Sequence, residues 1–219
     1  MGLLAVYRGL GAGFGNGSTP AAMMNTMAHQ VTMDWHQAMI LDGRGFQVRA
    51  GTISVPFVGD VVITDTAAEM SVDCAAGTTI IPVYQNLSIN LGTGTLHEYA
   101  TKSVATVSSG GDAFVPLPLK SDGPAATTTA RADAAGGVTV TAELATTTAR
   151  HWSYSNPLAL VTAGGGTQAN LNWEPAVTGA PVLVGARSLY TQVAATGTGP
   201  SYYLSMDYID IPTVMVAPS

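Results

Sequence analysis

Between Phe46 and Val107 the chain reads strand, turn, strand, turn. The pieces are Phe46-Gln-Val-Arg-Ala, Thr52-Ile-Ser-Val-Pro-Phe-Val, Asp60-Val-Val-Ile-Thr, Glu69-Met-Ser-Val-Asp, Thr79-Ile-Ile-Pro-Val-Tyr, Leu87-Ser-Ile-Asn-Leu and Thr95-Leu-His-Glu-Tyr-Ala. Gly51, Gly59, Ala76-Gly77 and Gly92-Thr-Gly94 separate them. Short β-branched runs recurring every 8–12 residues or so, with turn residues between, predict an antiparallel sandwich or barrel.

Downstream the pattern continues. A strand is expected over Val104 and Val107, and an extended segment at Phe114-Val-Pro-Leu-Pro-Leu119. Residues 121–137 turn small and polar and read as an exposed loop or a hairpin. Val138-Thr-Val-Thr-Ala-Glu-Leu alternates strictly, the mark of a half-buried strand. Trp152-Ser-Tyr, Ala169-Asn-Leu-Asn-Trp, Pro181-Val-Leu-Val, Ser188-Leu-Tyr-Thr-Gln-Val and Ser201-Tyr-Tyr-Leu-Ser-Met-Asp-Tyr-Ile complete the set. Pro56 and Pro82 sit inside apolar runs, so those strands should be edge, bulged or interrupted. Pro212 should close the chain in extended conformation.

Upstream, Thr19-Pro20 is a sound N-cap and first-turn pair, which predicts a short helix near 20–29. Val31, Met33 and Trp35 alternate with Thr32, Asp34 and His36, so a strand is expected from about 30 to 40. Residues 1–18 place Leu3, Leu4, Val6, Tyr7 and Phe14 on a glycine-rich stem. Such a segment reads as an apolar arm that docks on a neighbouring subunit or adds a strand to its sheet; a frayed terminus is the alternative. The expected organisation is this arm, then one β-sandwich domain over 19–219 with at most one or two short helices.

A 219-residue chain can bury roughly 70% of its unfolded surface, so it needs no disulfide or metal to fold. Cys74 is the lone cysteine, which excludes an intrachain disulfide and reads as an inert buried thiol. Charged residues make up only 10% of the chain, against about 25% in ordinary soluble domains. A surface so poor in charge suits extensive protein contact. The eight Lys and Arg are scattered and the net charge is −6, so direct nucleic-acid binding is not expected. No apolar run is long enough for a transmembrane helix, and no cleavable signal peptide is evident.

Catalytic and metal motifs are missing from the sequence. The glycines from Gly9 to Gly17 fail the dinucleotide spacing, and no Gly-Lys-Ser/Thr occurs. His29, His36, His97 and His151 are widely separated and lack metal-ligand spacing. Asp60, Asp65, Glu69 and Asp73 could offer oxygen ligands to Ca²⁺, but the Asp-x-Asp-x-Asp-Gly loop is absent and solvated turn carboxylates are the simpler reading. No Gly-x-Ser-x-Gly elbow exists. Neither an enzyme nor a cofactor is expected, although paired glycosidase carboxylates leave no sequence motif.

The stretches Thr52-Ile-Ser-Val-Pro-Phe-Val-Gly-Asp-Val-Val-Ile and Ala68-Glu-Met-Ser-Val-Asp-Cys-Ala-Ala-Gly-Thr-Thr-Ile-Ile-Pro-Val, with the glycine-hinged arm, resemble jelly-roll capsid and decoration proteins of bacterial viruses. The resemblance spans about 170 residues in style and carries over no residue role. It implies a jelly-roll-like sandwich, a structural role in a virion, and assembly into trimers or larger rings with other virion proteins. With Arg8 alone in the arm, something else should contact the genome. The competing reading is a carbohydrate-binding or adhesive β-sandwich, whose aromatic platform would come from Trp152, Tyr154, Trp173, Tyr202 and Tyr203. A β-helical or jelly-roll hydrolase is a third reading.

Overall fold

A computed structural model describes residues 34–52, 54–91, 95–132, 137–156, 169–197 and 199–215. In chain order, α1 (Trp35–Leu41) leads into β1 (Gly45–Ala50). The short β2 (Phe57–Val58) and β3 (Ala67–Ala68) precede β4 (Met70–Cys74). Two long strands follow, β5 (Thr78–Leu91) and β6 (Thr95–Val104). Next come β7 (Ser109–Gly110), β8 (Asp112–Phe114), β9 (Leu117–Pro118), β10 (Thr129–Ala132) and β11 (Val138–Thr139). After β12 (Thr148–Asn156) and β13 (Ala169–Trp173) stand α2 (Pro175–Thr178) and β14 (Leu183–Val184). β15 (Arg187–Thr196) and β16 (Ser201–Pro212) finish the set.

The strands form an antiparallel sandwich. Sheet one runs β13-β5-β16-β1-β9, with β14 also on β5 and β2 on β16. Sheet two runs β12-β6-β15-β4-β10-β8. The last strand, β16, therefore lies between β1 and β5, and β15 lies between β4 and β6. Between the sheets, Phe46, Val48, Leu87, Leu204 and Met206 of sheet one pack with Met70, Val72, Tyr99, Leu189 and Val193 of sheet two in one cluster. Each of these large side chains stabilises the fold by about 1.5–3 kcal/mol relative to exposure. A polar link crosses the middle of the core: Gln85 Nε2 donates to Thr191 Oγ1 at 3.0 Å, and Thr101 Oγ1 donates to Gln85 Oε1 at 2.9 Å. All three are fully buried, so these bonds replace the water they lost.

A three-stranded sheet, β3-β11-β7, lies over the outside of sheet two. Val138 and Val140 pack there with Val104, Tyr190 and Ala68 in a second, smaller core.

Several expectations need correction. Residues 35–41 are helix, because the Asp34 carboxylate accepts the His36 N–H at 2.9 Å and Ala38 N–H reaches Asp34 O at 3.0 Å. That cap outweighs the alternation that suggested a strand. The helix expected at 20–29 and the arm at 1–18 lie outside the described residues. Residues 60–64 form no strand; Asp60 makes a single parallel bridge to Ala194. The strand expected over 138–144 is cut to Val138–Thr139; Val140 N–H still bonds Thr66 O in the same register, and the chain leaves the small sheet after it. β6 ends at Val104, leaving Val107 exposed. The small-residue region at 121–137 contains β10, which pairs with β4 and β8 as part of sheet two. The 79–84 and 87–91 segments are one strand, β5. Pro82 sits beside a bulge, between the part of β5 that pairs with β13 and the part that pairs with β14. Beyond Pro212 the chain turns into a 3-10 helix rather than staying extended.

Candidate assembly surface

Among the described residues the four acidic side chains do not gather into one cluster, although Asp60 and Glu69 come near each other. Asp73 points out of β4 and takes the Ser108 N–H at 2.9 Å and the Ser108 hydroxyl at 2.8 Å. The Ser188 hydroxyl also donates to it, and Arg131 Nε lies 3.4 Å away. These bonds fasten the 105–111 loop to sheet two. Glu69 is buried and accepts the Val193 N–H at 2.7 Å. Desolvation, with Asp60 nearby as a second cause, holds its carboxyl well above the usual range. Asp65 is exposed in a turn. Among the described residues no three His, Cys, Asp or Glu side chains are placed to hold a metal ion.

One pair has the look of catalytic chemistry. Ser103 Oγ and His151 Nε2 are 2.8 Å apart. A bulge between Arg150 and Trp152 displaces His151 from the regular ladder. Its ring stacks on Trp173 at 6.3 Å, and burial pushes its pKa below the ordinary 6.5. Ser103 is itself buried, and no carboxylate bonds to the imidazole among the described residues. The pair satisfies two polar groups at the sandwich edge. Cys74 is equally inert: its thiol lies 3.1 Å from Thr78 O, and burial pushes it up to about 11. Lys102, almost fully buried, is neutralised by Glu143, which also accepts from Arg150 at 2.9 Å. Those two cations hold the Glu143 carboxyl below its usual range.

The five aromatics expected as a glycan platform do not form one. Tyr202 is fully buried between the sheets and Trp173 is 7% exposed. Trp152 stacks on Trp173 at 6.5 Å, and Tyr154 stacks on Tyr99 at 5.0 Å. These rings close the sandwich between the terminal strands β12 and β13. Tyr203 alone of the five faces outward from sheet one.

What the surface does offer is apolar. Sixteen large hydrophobic side chains are exposed among the described residues. Many of them gather where the chain crosses between sheets. Val55, Val58, Val61 and Val62 lie just before, in and just after β2, where the chain passes from β16 to β15 through Asp60. There Gly59 N–H bonds Pro200 O at 2.8 Å, and a Cβ on Gly59 would stand 2.5 Å from Val193 O, so only glycine fits. Val115, Leu117 and Leu119 lie on the crossing from β8 in sheet two to β9 in sheet one. Apart from the crossings, Val177 in α2, 80% exposed, and Val182 and Val184 at β14 lie on the link between two strands that both pair with β5. Strand edges add to this margin: β12, nine residues long, ends sheet two, and β13 ends sheet one. An edge presents N–H and C=O groups ready to pair with another chain.

The sequence could not show this arrangement, because these valines and leucines look like core residues in any strand-like run. That Val55, Val58, Val61, Val62, Val115, Leu117 and Leu119 sit where the chain passes from one sheet to the other is visible only in the fold. Leu3, Leu4, Val6, Tyr7 and Phe14, the expected arm contacts, lie outside the described residues. The chain matches no protein-family model, no curated protein and no solved structure. No helix among the described residues is long and apolar enough to cross a membrane.

Proposed function

We propose that this protein is a structural subunit of a viral particle, a capsid or capsid-decoration protein of a bacterial virus. It assembles as a trimer or larger ring through apolar and strand-edge contacts, beside other virion proteins and without touching nucleic acid. The observation that carries the reading is the set of exposed Val and Leu, seven of them at the two sheet crossings near 55–62 and 115–119, of a chain only 10% charged. Large apolar surfaces of this kind mark protein contact sites. The strand order supports it. The principal strands of sheet one run β13-β5-β16-β1 and those of sheet two β12-β6-β15-β4, the interleaving of a jelly roll, a fold common in viral coats. The mechanism is burial of apolar area at about 25 cal/mol per Å², repeated by symmetry over many copies.

In this role the protein is made in the host cytoplasm and ends in the virion, with no catalytic duty. The test is the mass in solution. Sedimentation at tens of micromolar should give a trimer or larger species, and Val58→Asp together with Leu117→Asp should shift it to monomer without unfolding. An assembly unchanged by both substitutions overturns the proposed contacts.

A further inference from the structure

The outer face of sheet one has two halves. α1 packs against β1 and β16, and α2 packs against β5, at one end. The other half is polar and partly exposed, and among the described residues no helix packs on it. Because Val48, Leu87, Leu204 and Met206 point into the core, strand alternation turns Arg49, Asn86, Ser88, Tyr203 and Ser205 outward.

The register assembles them into rungs. One rung runs Asn172, Asn86, Ser205, Arg49 across β13, β5, β16 and β1. The next holds Asn170, Ser88 and Tyr203. On the other side Tyr84, Asp207 and Gln47 share a rung. Ser205 is the short member of the first rung. Asn86 and Arg49 rise on either side of it, two strand spacings apart, about 9–10 Å. The result is a groove of about 670 Å³ lined by Arg49, Gly51, Thr52, Asn86, Tyr203 and Ser205. Its volume is that of a small-ligand cleft.

The walls are held in place. Asn86 Nδ2 donates to Asn172 Oδ1 at 2.7 Å. Gln47 Nε2 donates to Asp207 Oδ1 at 2.7 Å, and Gln47 Oε1 accepts from Arg49 Nε. That leaves the Nη donors of Arg49 for another acceptor. The Tyr203 ring lies against Gly51, where a Cβ would stand 3.2 Å from Cδ1. Gly51 also has φ +88°, so a larger residue would be strained there as well as crowding the ring.

We propose that this groove binds a neutral carbohydrate chain. The rungs carry one cation, Arg49, and one anion, Asp207, so they offer no net charge to a polyanion. They carry no exposed aliphatic side chain for a hydrophobic peptide; Val58 and Leu117 stand at the margins. Amides, hydroxyls and a guanidinium, both donors and acceptors, match the vicinal hydroxyls of a sugar. Tyr203 supplies a ring face for its C–H side. The groove adjoins the Val55–Val58 crossing through Gly51 and Thr52, but its rungs lie on the face of sheet one and not on that crossing.

The experiment is a screen of the full-length protein against immobilised neutral oligosaccharides, with an anionic set beside them. Calorimetric titration of the best neutral binder then compares wild type with Ser205→Trp and Arg49→Ala. Each substitution should weaken binding at least about tenfold, with the thermal midpoint held within a few degrees. Asn86→Ala, whose side-chain bond is at the surface, reads the same loss if Ser205→Trp does not fold. Absence of any neutral binder, preference for the anionic set, or unchanged affinity in the folded variants overturns the proposal. None of those outcomes alters the solution mass, so the assembly reading stands or falls separately.

Discussion

On β16, residues 201–208 alternate between half-buried and buried, whereas on β15 residues 188–195 are buried without interruption. The two strands occupy equivalent central places in their sheets. The difference lies outside the sandwich. Sheet two is roofed by the 60–69 and 105–111 segments and by β11, so Ser188, Tyr190 and Gln192 on its outer side are enclosed as fully as Leu189 on its inner side. Enclosure obliges the polar members to find partners. Ser188 bonds Asp73, and Gln192 Nε2 donates to Ala67 O at 2.6 Å. Sheet one keeps half its outer face open, and its polar side chains bond mainly to one another along the surface. The same alternation thus yields a second core on one side and a presentable face on the other, according to what the connecting segments do.

The largest test of this contrast is a pair of tyrosine deletions. Tyr190→Ala empties the second core and should cost about 3–5 kcal/mol by guanidinium unfolding. Tyr203→Ala, half-buried on the open face, should cost less than about 1 kcal/mol. Equal losses would break the comparison. Asp73→Ala should cost about 3 kcal/mol, since it strands Ser108 and Ser188 and leaves Arg131 without its carboxylate. Hydrogen exchange in residues 105–111 should speed up in that variant more than in β16.

A smaller effect concerns pH. The folded Glu69 carboxyl binds its proton more tightly than the unfolded one, so the folded state holds more protons over that interval. Its contribution is most favourable below about pH 4.5 and is lost as pH rises through the folded value. Glu69→Gln, which can still accept the Val193 N–H, should remove that decline, and thermal unfolding from pH 4 to 8 will show it as a flatter curve. Identical curves would mean the charge is solvated. His151 acts in the opposite sense, because burial lowers its folded pKa. Stability should fall as pH drops below about 6.5, and His151→Phe should blunt this fall. The smallest expected effect is Arg49→Ala, within about 0.5 kcal/mol in denaturant.

Much of this fold was readable from the residues, and the limits have physical causes. β1, β15 and β16 announce themselves because β-branched and aromatic residues alternate or cluster between turn glycines. β10 does not: Ala130 and Ala132 look like loop composition. Ala130 nevertheless occupies a fully buried place between Val72 and Phe114. The 138–144 run alternates as a strand should, yet its partners β3 and β7 are each two residues long, and beyond Val138–Thr139 it keeps one further in-register bond, from Val140 N–H to Thr66 O. The four acidic residues could be listed from the sequence, but not that Asp73 and Glu69 would hold separate loops. The polar rungs of sheet one were visible only as scattered Asn, Ser and Arg; the cross-strand register that unites residues 49, 86, 172 and 205 is non-local.

The most direct test of the central claim is the mass of the full-length protein by sedimentation at tens of micromolar, with and without residues 1–18. The account predicts a trimer or a larger closed ring for the intact chain. A strict monomer in both forms would mean that the apolar crossings face water in the working state, and would contradict it.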